Sequence, residues 1–377
     1  MVISIIYILR QFIKMCLEHV LFPVFYFLCK FQKLDKNLII FADSHHETMP
    51  NSMTSLYETL LKNENLKLVC FFDDYQKISA LKVLICSLKF IKLYAKAGSV
   101  VICDNFLPVS SCQKRKETKV VQLWHACGAY KKFGYDTLDD IPSYYKGNVF
   151  KNYDLVTVSG QSCVEPFSTA MKQPKGVVQA LGIPRTDIYL NREYGEKCKE
   201  IFFDIYPQAI GKTIVLWCPT FRGTALSPED LDFKPILKLQ KLLGENYLLV
   251  TKLHHHTKSK PDDLFSAKLI STSDMLFCAD IMISDYSSIF LEWLIFDKPM
   301  VFFMPDKDDY SLKRGFYFPL ETLPAPITTG VAELYNAIIE KDSYQNKRSD
   351  FAYKHINKCD GSSTRRIADY IMNNLKD

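Results

Sequence analysis

The 377-residue sequence contains 12 cysteines but no Cys-x-x-Cys pair. Several cysteines lie inside apolar runs, so we expect them to act as small core residues in a reducing compartment and not as a disulfide framework or zinc site. A long Lys/Arg run with interleaved aromatic residues is also missing, and the net charge is only +5. Nucleic-acid binding is therefore a poor explanation for this chain.

Internal repeats at a fixed period and low-complexity tracts are absent as well. What is present is the balance of a folded globular protein, with 48% hydrophobic and 24% charged residues. Because 377 residues exceed what one hydrophobic core usually organises, the length predicts two domains of ordinary size.

No apolar run reaches the ~18 to 20 residues that a membrane-spanning helix requires. Residues 1–9 and 20–29 are strongly apolar, but polar and charged residues separate them. A signal peptide fits poorly, because the basic residues follow the first run and no small-residue cleavage site is evident. With Lys30, Lys33 and Lys36 at its end, the segment 1–36 is predicted to be helical and to lie in an anionic membrane interface. The alternative is a helix packed on the protein's own core.

From residue 37 onward, short β-rich apolar runs alternate with longer helical patterns. This rhythm predicts βαβ units and parallel sheets. A charged, helix-compatible stretch follows residue 187, and a second series of apolar runs begins at residue 213. The sequence therefore predicts two α/β domains, with the boundary near residues 186–211.

Polar clusters follow several predicted strands at the point where each strand ends. In open α/β sheets ligands bind outside the carboxyl ends of the strands, so we expect these clusters to converge on one crevice. The clusters are His125 with Gly128, the stretch 219–223, Lys252 with His254, and the turn 285–288.

The turn Asp285-Tyr286-Ser287-Ser288 precedes an apolar helical run. The two serine hydroxyls and the free N–H groups of the first helical turn would point at an anion there, and the helix dipole adds to the attraction. This arrangement predicts a diphosphate site without a glycine-rich loop. The alternative is a plain N-cap, which most helices need.

Arg222 and Lys252 are cations at predicted strand ends and suit phosphate contacts. Arg185 is a similar candidate, with an Arg185 to Asp187 ion pair as the competing interpretation. Surface solvation is the alternative for each cation taken singly.

His125 follows a strand and lies beside Gly128, where backbone can approach a ligand closely, and a histidine suits general base catalysis at neutral pH. His254 begins a run of three histidines. Consecutive residues of an extended chain point to alternate faces, and no other ligand lies at zinc-motif spacing, so a phosphate-binding or acid/base role for His254 is favoured over a metal site.

Taken in order, these stretches resemble the CDP-glycerol glycerophosphotransferase family, which contains the teichoic acid primases and polymerases. The family usually has Trp-His-Gly-Thr where this chain has Trp124-His125-Ala126-Cys127, a departure that bears on the acceptor pocket. It usually has Lys-x-His-Pro where this chain has residues 252–255. The matching stretches are residues 124–128, 131–134, 182–187, 219–223, 252–254, 280–288, 298–299, 306–310 and 314–315, and residues 360–366 resemble the closing segment of the family.

The resemblance implies a GT-B type α/β fold, in which two Rossmann-like domains with a cleft between them follow the N-terminal interfacial segment. Residues 37–190 would form the acceptor domain, residues 191–350 the CDP-polyol-binding domain, and residues 351–377 a C-terminal helix. The enzyme would be peripheral, at the cytoplasmic face of the cell membrane. It would require no metal or cofactor.

The implied reaction transfers glycerol phosphate or ribitol phosphate from CDP-glycerol or CDP-ribitol, and releases CMP. The implied acceptor is an undecaprenyl-diphosphate-linked saccharide or a growing polyol-phosphate polymer. Catalytic roles fall on His125 and His254. Donor binding falls on Arg185, Thr220, Arg222, Lys252, Asp285, Ser287, Ser288 and Arg314.

Two other functions are compatible with the pattern. The first is a GT-B glycosyltransferase that uses a nucleotide sugar and breaks a bond at an anomeric carbon. The second is a catalytically silent, membrane-bound scaffold that keeps the fold and binds partner enzymes or polymer.

Overall fold

The structure is a computed structural model that describes residues 12–137, 140–141, 145, 147–223, 228–253, 257 and 261–376. The chain divides into two units. The first unit consists of residues 1–125, 134–187 and 358–377, and the second of residues 126–133 and 188–357. The main division of the chain follows residue 187. Residues 126–133 lie in the first half of the chain but belong to the second unit. Residues 358–377 follow the second unit in the chain but belong to the first.

The first unit is built on a six-stranded sheet with the strand order β2-β1-β3-β4-β5-β6. All neighbouring strands in it are parallel. Its strands are β1 (Asp35–Asp43), β2 (Lys67–Phe72), β3 (Ala97–Ile102), β4 (Lys119–Gln122), β5 (Leu155–Thr157) and β6 (Val178–Gln179). Its helices are Phe22–Cys29, Asn51–Leu61, Ala80–Tyr94, Leu107–Ser111, Val164–Ala170 and Ser363–Lys376.

The second unit contains a five-stranded parallel sheet and a small antiparallel pair. The sheet comprises β7 (Thr213–Cys218), β10 (Tyr247–Thr251), β11 (Ile281–Ser284), β12 (Met300–Phe303) and β13 (Ile327–Thr328), in the order β10-β7-β11-β12-β13. The pair is β8 (Arg222–Gly223) with β9 (Pro228–Glu229). The helices are Arg192–Ile205, Lys234–Leu243, Thr272–Cys278, Ile289–Trp293, Lys307–Arg314, Val331–Ile339 and Gln345–His355.

Each sheet carries its own hydrophobic core. The central strands are rich in β-branched residues that are buried on both faces, the pattern of a parallel sheet covered by helices. In the first unit, Ile367 and Ile371 of the last helix pack with Phe41 and Val101 of the sheet. In the second unit, Val215 and Ile283 pack with helix residues such as Leu334. The prediction of an α/β chain with parallel sheets is confirmed.

The helix Phe22–Cys29 continues a helical segment that includes the π-helical stretch Leu17–Leu21, and the whole segment Phe12–Cys29 is long and apolar enough, by length and composition, to cross a membrane. The sequence had suggested two shorter runs, because polar residues interrupt the apolar ones. One face of this helix is buried in the first unit, where the Tyr26 ring lies 5.2 Å from that of Tyr94. The opposite face exposes large apolar side chains, among them Phe12, Val20, Val24, Phe27 and Leu28.

Candidate active site

His125 follows β4 on a strained turn. Trp124 before it has a φ of 60°, in the left-handed region that a bulky side chain rarely adopts. The Trp124 N–H donates to Gln122 Oε1 at 2.9 Å, and the Trp124 ring stacks on the imidazole with 4.3 Å between ring centroids. The turn therefore presents His125 at the carboxyl end of the sheet with 48% of its side chain exposed.

Asp104, at the carboxyl end of the neighbouring strand β3, lies against this histidine. Its Oδ2 is 3.3 Å from His125 Nδ1. Although burial raises the pKa of the Asp104 carboxyl, His125 and His45 beside it hold that pKa below its ordinary value. The sequence interpretation did not include Asp104. Asp104 lies just after a fully buried strand, and this is the same position by which the sequence identifies the other polar clusters.

The loop after β1 adds two more histidines at the same edge of the sheet. His45 Nε2 lies 3.8 Å from Asp104 Oδ2. His46 Nδ1 forms a separate pair with Asp43 Oδ1 at 2.8 Å. Within the described ranges, no set of three or more His, Cys, Asp and Glu side chains has the arrangement of a metal site. These side chains therefore form carboxylate–histidine pairs at the ends of β1, β3 and β4.

Arg185 supports the backbone of the same turn. It lies in the 3-10 segment Pro184–Leu190, and its Nη1 donates to the carbonyl oxygen of His125 at 2.7 Å. Asp187 two residues later accepts from the N–H groups of Ser363 and Thr364, at 3.2 and 2.7 Å, and so caps the last helix of the chain. The structure thus brings Arg185 and His125 together in the first unit.

In the second unit, Asp285 joins the ends of β7 and β11. Its buried carboxylate accepts from the backbone N–H of Thr220 at 2.9 Å and from the Thr220 hydroxyl at 2.8 Å. It also accepts from the N–H of Ser287 at 3.2 Å. Asp285 therefore ties the loop after β7 to the loop after β11.

Arg222 is held by two carboxylates. Its Nη1 lies 3.0 Å from Asp285 Oδ2, and its Nε and Nη2 donate to Asp306 at 2.6 and 3.1 Å. Nη1 also donates to the Thr220 carbonyl oxygen at 2.6 Å. Burial by itself lowers the pKa of Arg222, but Asp285 and Asp306 outweigh burial and raise that pKa further above its ordinary value. The guanidinium thus joins the Thr220 loop to the carboxylates of Asp285 and Asp306.

The buried ring of Tyr286 lies beside Arg222, and its hydroxyl contacts the same Asp306 carboxylate that binds Arg222. Its ring stacks on Tyr310 at 3.7 Å with an interplanar angle of 7°, and its hydroxyl donates to Asp306 Oδ1 at 3.0 Å. The centre of the Arg222 guanidinium lies 5.1 Å from the Tyr286 ring centroid, within the range of a cation–π contact. Asp306 was absent from the predicted site, because its partners lie 84 and 20 residues away along the chain.

Ser287 and Ser288 precede the helix Ile289–Trp293. The Ser287 hydroxyl accepts weakly from the N–H of Ile289, at 3.4 Å. Ser288 occupies the N-cap position of this helix, but its side chain makes no capping hydrogen bond to the described residues. The plain N-cap interpretation therefore does not account for the Ser288 hydroxyl, and both serines are only partly buried.

The remaining predicted ligands lie at other strand and helix ends of the second unit. The Lys252 ammonium donates to the carbonyl oxygens of Ala267 and Ile270, and burial lowers the pKa of Lys252. Arg314 is the last residue of the helix Lys307–Arg314. His254 lies outside the described residues.

The segment 126–133 packs within the second unit. The Tyr130 ring stacks on Phe318 at 5.3 Å and lies 5.0 Å from Phe316. A Cβ at Gly128 would lie 2.5 Å from a methyl group of Leu291, and the φ of Gly128 is +69°. Glycine is therefore favoured here by the left-handed backbone conformation, and a larger residue would also have to displace the Leu291 methyl group.

Solved structures identify the class of fold. The structure of the wall teichoic acid polymerase TagF matches with a TM-score of 0.76 at 20% identity, covering 94% of this chain and 92% of that one. The two parallel α/β sheets therefore form the fold type of a teichoic acid polymerase, which is GT-B-like.

The family model described as CDP-Glycerol:Poly(glycerophosphate) glycerophosphotransferase matches residues 24–373. The chain belongs to this family, and it is an enzyme of the glycerophosphotransferase type. Both the resemblance and the enzyme class predicted from the sequence are confirmed.

Two characterised relatives illustrate the range of the family. The teichoic acid ribitol-phosphate primase of Bacillus spizizenii (strain ATCC 23059 / NRRL B-14472 / W23) is 31% identical over 363 residues, covering 89% of this chain and 91% of the relative. The teichoic acid glycerol-phosphate primase of Bacillus subtilis (strain 168) is 32% identical over 291 residues, covering 73% of this chain and 74% of the relative. The family thus contains relatives named for either polyol phosphate.

Proposed function

We propose that the chain transfers glycerol phosphate or ribitol phosphate from a CDP-polyol to a hydroxyl of a lipid-linked saccharide or polyol-phosphate acceptor, in the synthesis of teichoic acid or a related cell-surface polymer. The proposal includes the GT-B arrangement of the two units that the sequence predicts. The observation that carries it is His125, a half-exposed imidazole presented at the carboxyl end of a parallel sheet. Family membership supplies the reaction type.

In the proposed reaction, His125 takes the proton of the acceptor hydroxyl. The acceptor oxygen forms a bond to the phosphorus on the polyol side of the donor diphosphate, and the bond from that phosphorus to the bridging oxygen breaks. CMP leaves with the electron pair of the broken bond. General base catalysis of this kind typically contributes ~10²- to 10⁴-fold, and positioning and charge stabilisation contribute the larger share.

Donor binding is proposed to use the loops that Asp285 and Arg222 hold in place. The Ser288 hydroxyl is not engaged in capping, and the adjacent helix start attracts phosphate oxygens. Ser287, Lys252, Arg314 and His254 remain predicted contributors. Arg222 has two carboxylate partners already, so its proposed contribution to the donor is mainly the shape of the Thr220 loop.

The proposed function is tested by the nucleotide that the protein releases. The purified protein is incubated with CDP-glycerol, CDP-ribitol or UDP-N-acetylglucosamine, each with and without an undecaprenyl-diphosphate-linked disaccharide. We expect acceptor-dependent release of CMP from at least one CDP-polyol. Release of UDP instead would favour a nucleotide-sugar glycosyltransferase. No release, together with no CDP binding by calorimetry, would favour a silent scaffold.

We further propose that the N-terminal helix holds the enzyme at the cytoplasmic face of the membrane, as a peripheral protein. The exposed apolar face of Phe12–Cys29 and the lysines that follow it support this role, since an interfacial helix combines apolar burial with attraction to anionic lipid. Burial of Phe22 and Tyr26 on the other face favours a helix lying along the surface of its own unit over one that crosses the bilayer.

Replacing Phe27 and Leu28 together by glutamate is expected to reduce binding to vesicles containing phosphatidylglycerol by at least about tenfold, because two exposed apolar side chains lose burial in the interface. Co-sedimentation measures this. The matched control is Leu269→Glu, an exposed leucine of the second unit that should leave binding unchanged. Equal sedimentation of all three proteins would contradict the proposed role of the helix.

A further inference from the structure

We propose that Asp104 is the positioning residue of His125, and that Gln122 holds the Asp104 and His125 loops in the register this role requires. The inference rests on the proposed function, in which His125 is the general base. The sequence pattern did not single out Asp104 or Gln122, and the structure brings them together with His125 at the ends of β3 and β4.

The first step is the direction of the contact. Asp104 Oδ2 faces the Nδ1 atom of His125 at 3.3 Å. The two atoms are at ion-pair distance, and the negative charge of the Asp104 carboxylate, which can only accept a proton contact, favours a proton on the nearer ring nitrogen, Nδ1. The lone pair then lies on Nε2, on the far side of the ring from Asp104. A histidine whose other nitrogen faces a carboxylate is in the orientation required of a general base.

The second step is how the two loops are held. The Gln122 side chain is fully buried, and its Nε2 donates to the Asp104 carbonyl oxygen at 3.0 Å. Its Oε1 accepts from the N–H of Trp124 at 2.9 Å. One amide therefore fixes the backbone of Asp104 and of the residue before His125. A second donor contact, from Nε2 to the Tyr153 hydroxyl at 3.2 Å, keeps the amide from rotating.

The third step is the stability of the His125 turn. A left-handed conformation at a bulky residue costs on the order of 1–3 kcal/mol and persists only where its surroundings enforce it. Here the Gln122 bond, the stacking of Trp124 on the imidazole and the Arg185 bond to the His125 carbonyl all act on the same turn. One face of the His125 ring is thus covered by Trp124 and the backbone of His125 is held by Arg185, while about half of the side chain stays exposed.

His45 is the competing partner of the same carboxylate. Its Nε2 lies 3.8 Å from Asp104 Oδ2, against 3.3 Å for His125 Nδ1. The shorter contact belongs to His125, whose ring stacks on Trp124 and whose carbonyl oxygen is held by Arg185. Asp104 accordingly orients His125 and stays ionised through the reaction, and it takes no proton from the acceptor.

The test compares Asp104→Asn with wild type in the CMP-release assay. We expect kcat to fall about 10²-fold, because the amide can present an N–H to Nδ1 and favour the wrong tautomer, while KM for the CDP-polyol stays unchanged. The same substitution made in His125→Ala should cause no further loss, since the residues act as a unit. Asp104→Ser, which keeps no carboxylate, should lower kcat similarly.

The matched control is Asp154→Asn. Asp154 accepts from the N–H of Val120 at 2.7 Å, at the opposite end of β4, so its loss should lower stability but leave kcat per folded enzyme unchanged. The inference is overturned if Asp104→Asn retains wild-type kcat, if it raises KM alone, or if its effect adds to that of His125→Ala. Absence of CMP release by the wild-type enzyme would instead refute the proposed function.

Discussion

Purified His125→Ala is expected to release CMP ~10²- to 10⁴-fold more slowly than wild type, because the acceptor hydroxyl would lose its general base. The imidazole is half exposed and its ring is not part of either hydrophobic core, so the folded state should persist. The measurement is the steady-state rate of CMP release with a lipid-linked acceptor, with CDP-polyol binding by calorimetry as the companion readout. Donor affinity should change little.

The matched control for His125 is His46→Ala. His46 has a similar exposure, but its ring pairs with Asp43 and not with Asp104. Its removal should leave the rate near that of wild type. Added imidazole should restore part of the activity of His125→Ala by supplying the missing base from solution. Near-normal CMP release by His125→Ala would exclude His125 as the general base and leave His254 as the remaining predicted catalytic histidine.

Arg222→Met is expected to lower the free energy of unfolding by about 3–5 kcal/mol in the absence of any ligand. The substitution leaves the carboxylate of Asp285, whose side chain is 3% exposed, without its cation, and it removes the partner of Asp306. Chemical denaturation of the purified protein measures this. A residue that served only to bind the donor would not produce such a loss, which makes the ligand-free measurement decisive.

Two comparisons control the Arg222 experiment. Lys67→Met breaks an exposed ion pair of 2.7 Å with Asp35, and it should cost less than about 1 kcal/mol. Asp285→Asn added to Arg222→Met should recover part of the loss, since it removes the stranded charge. A loss below about 1 kcal/mol for Arg222→Met would show that the network does not stabilise the unit.

The same network predicts a pH dependence of stability. Although burial raises the pKa of Asp306, Arg222 and the Tyr286 hydroxyl hold it below the ordinary value of 3.8. A carboxyl with a lowered pKa stabilises the folded state fully above its unfolded value, and this contribution is lost as the pH falls through the folded value. The stability difference between wild type and Arg222→Met should therefore shrink in acid, below about pH 4.

Much of the sheet architecture could be predicted from local sequence. The strands Thr213–Cys218, Ile281–Ser284 and Met300–Phe303 coincide with apolar runs in the sequence, because strands buried on both faces of a parallel sheet are continuously hydrophobic. The two-residue strands β6 and β13 were not recognised. A strand of that length carries no periodic pattern, and it is defined by the neighbour with which it pairs.

The sequence predicted site residues only where the side-chain type, such as histidine or serine, indicates a chemical role. His125 and the serine pair stand out by both type and position, whereas Asp104 stands out by position alone, after a buried strand, and Gln122 and Asp306 carry no residue type that marks their role. Their roles depend on partners 18 to 84 residues away, such as the Asp104 carbonyl for Gln122 and Arg222 for Asp306. A single sequence carries no signal for pairing at such distances.

The sequence by itself determined the family, the α/β class and the positions of the polar clusters at strand ends, because these follow from local hydrophobic patterns and from ordered motifs. Only the tertiary structure decided which cluster pairs with which carboxylate, that segment 126–133 packs on Phe316 and Phe318, and that the last helix returns to the first unit. Those outcomes depend on packing and hydrogen bonds between segments distant in the chain, where the free energy of each contact is set by its surroundings and not by its own residue type.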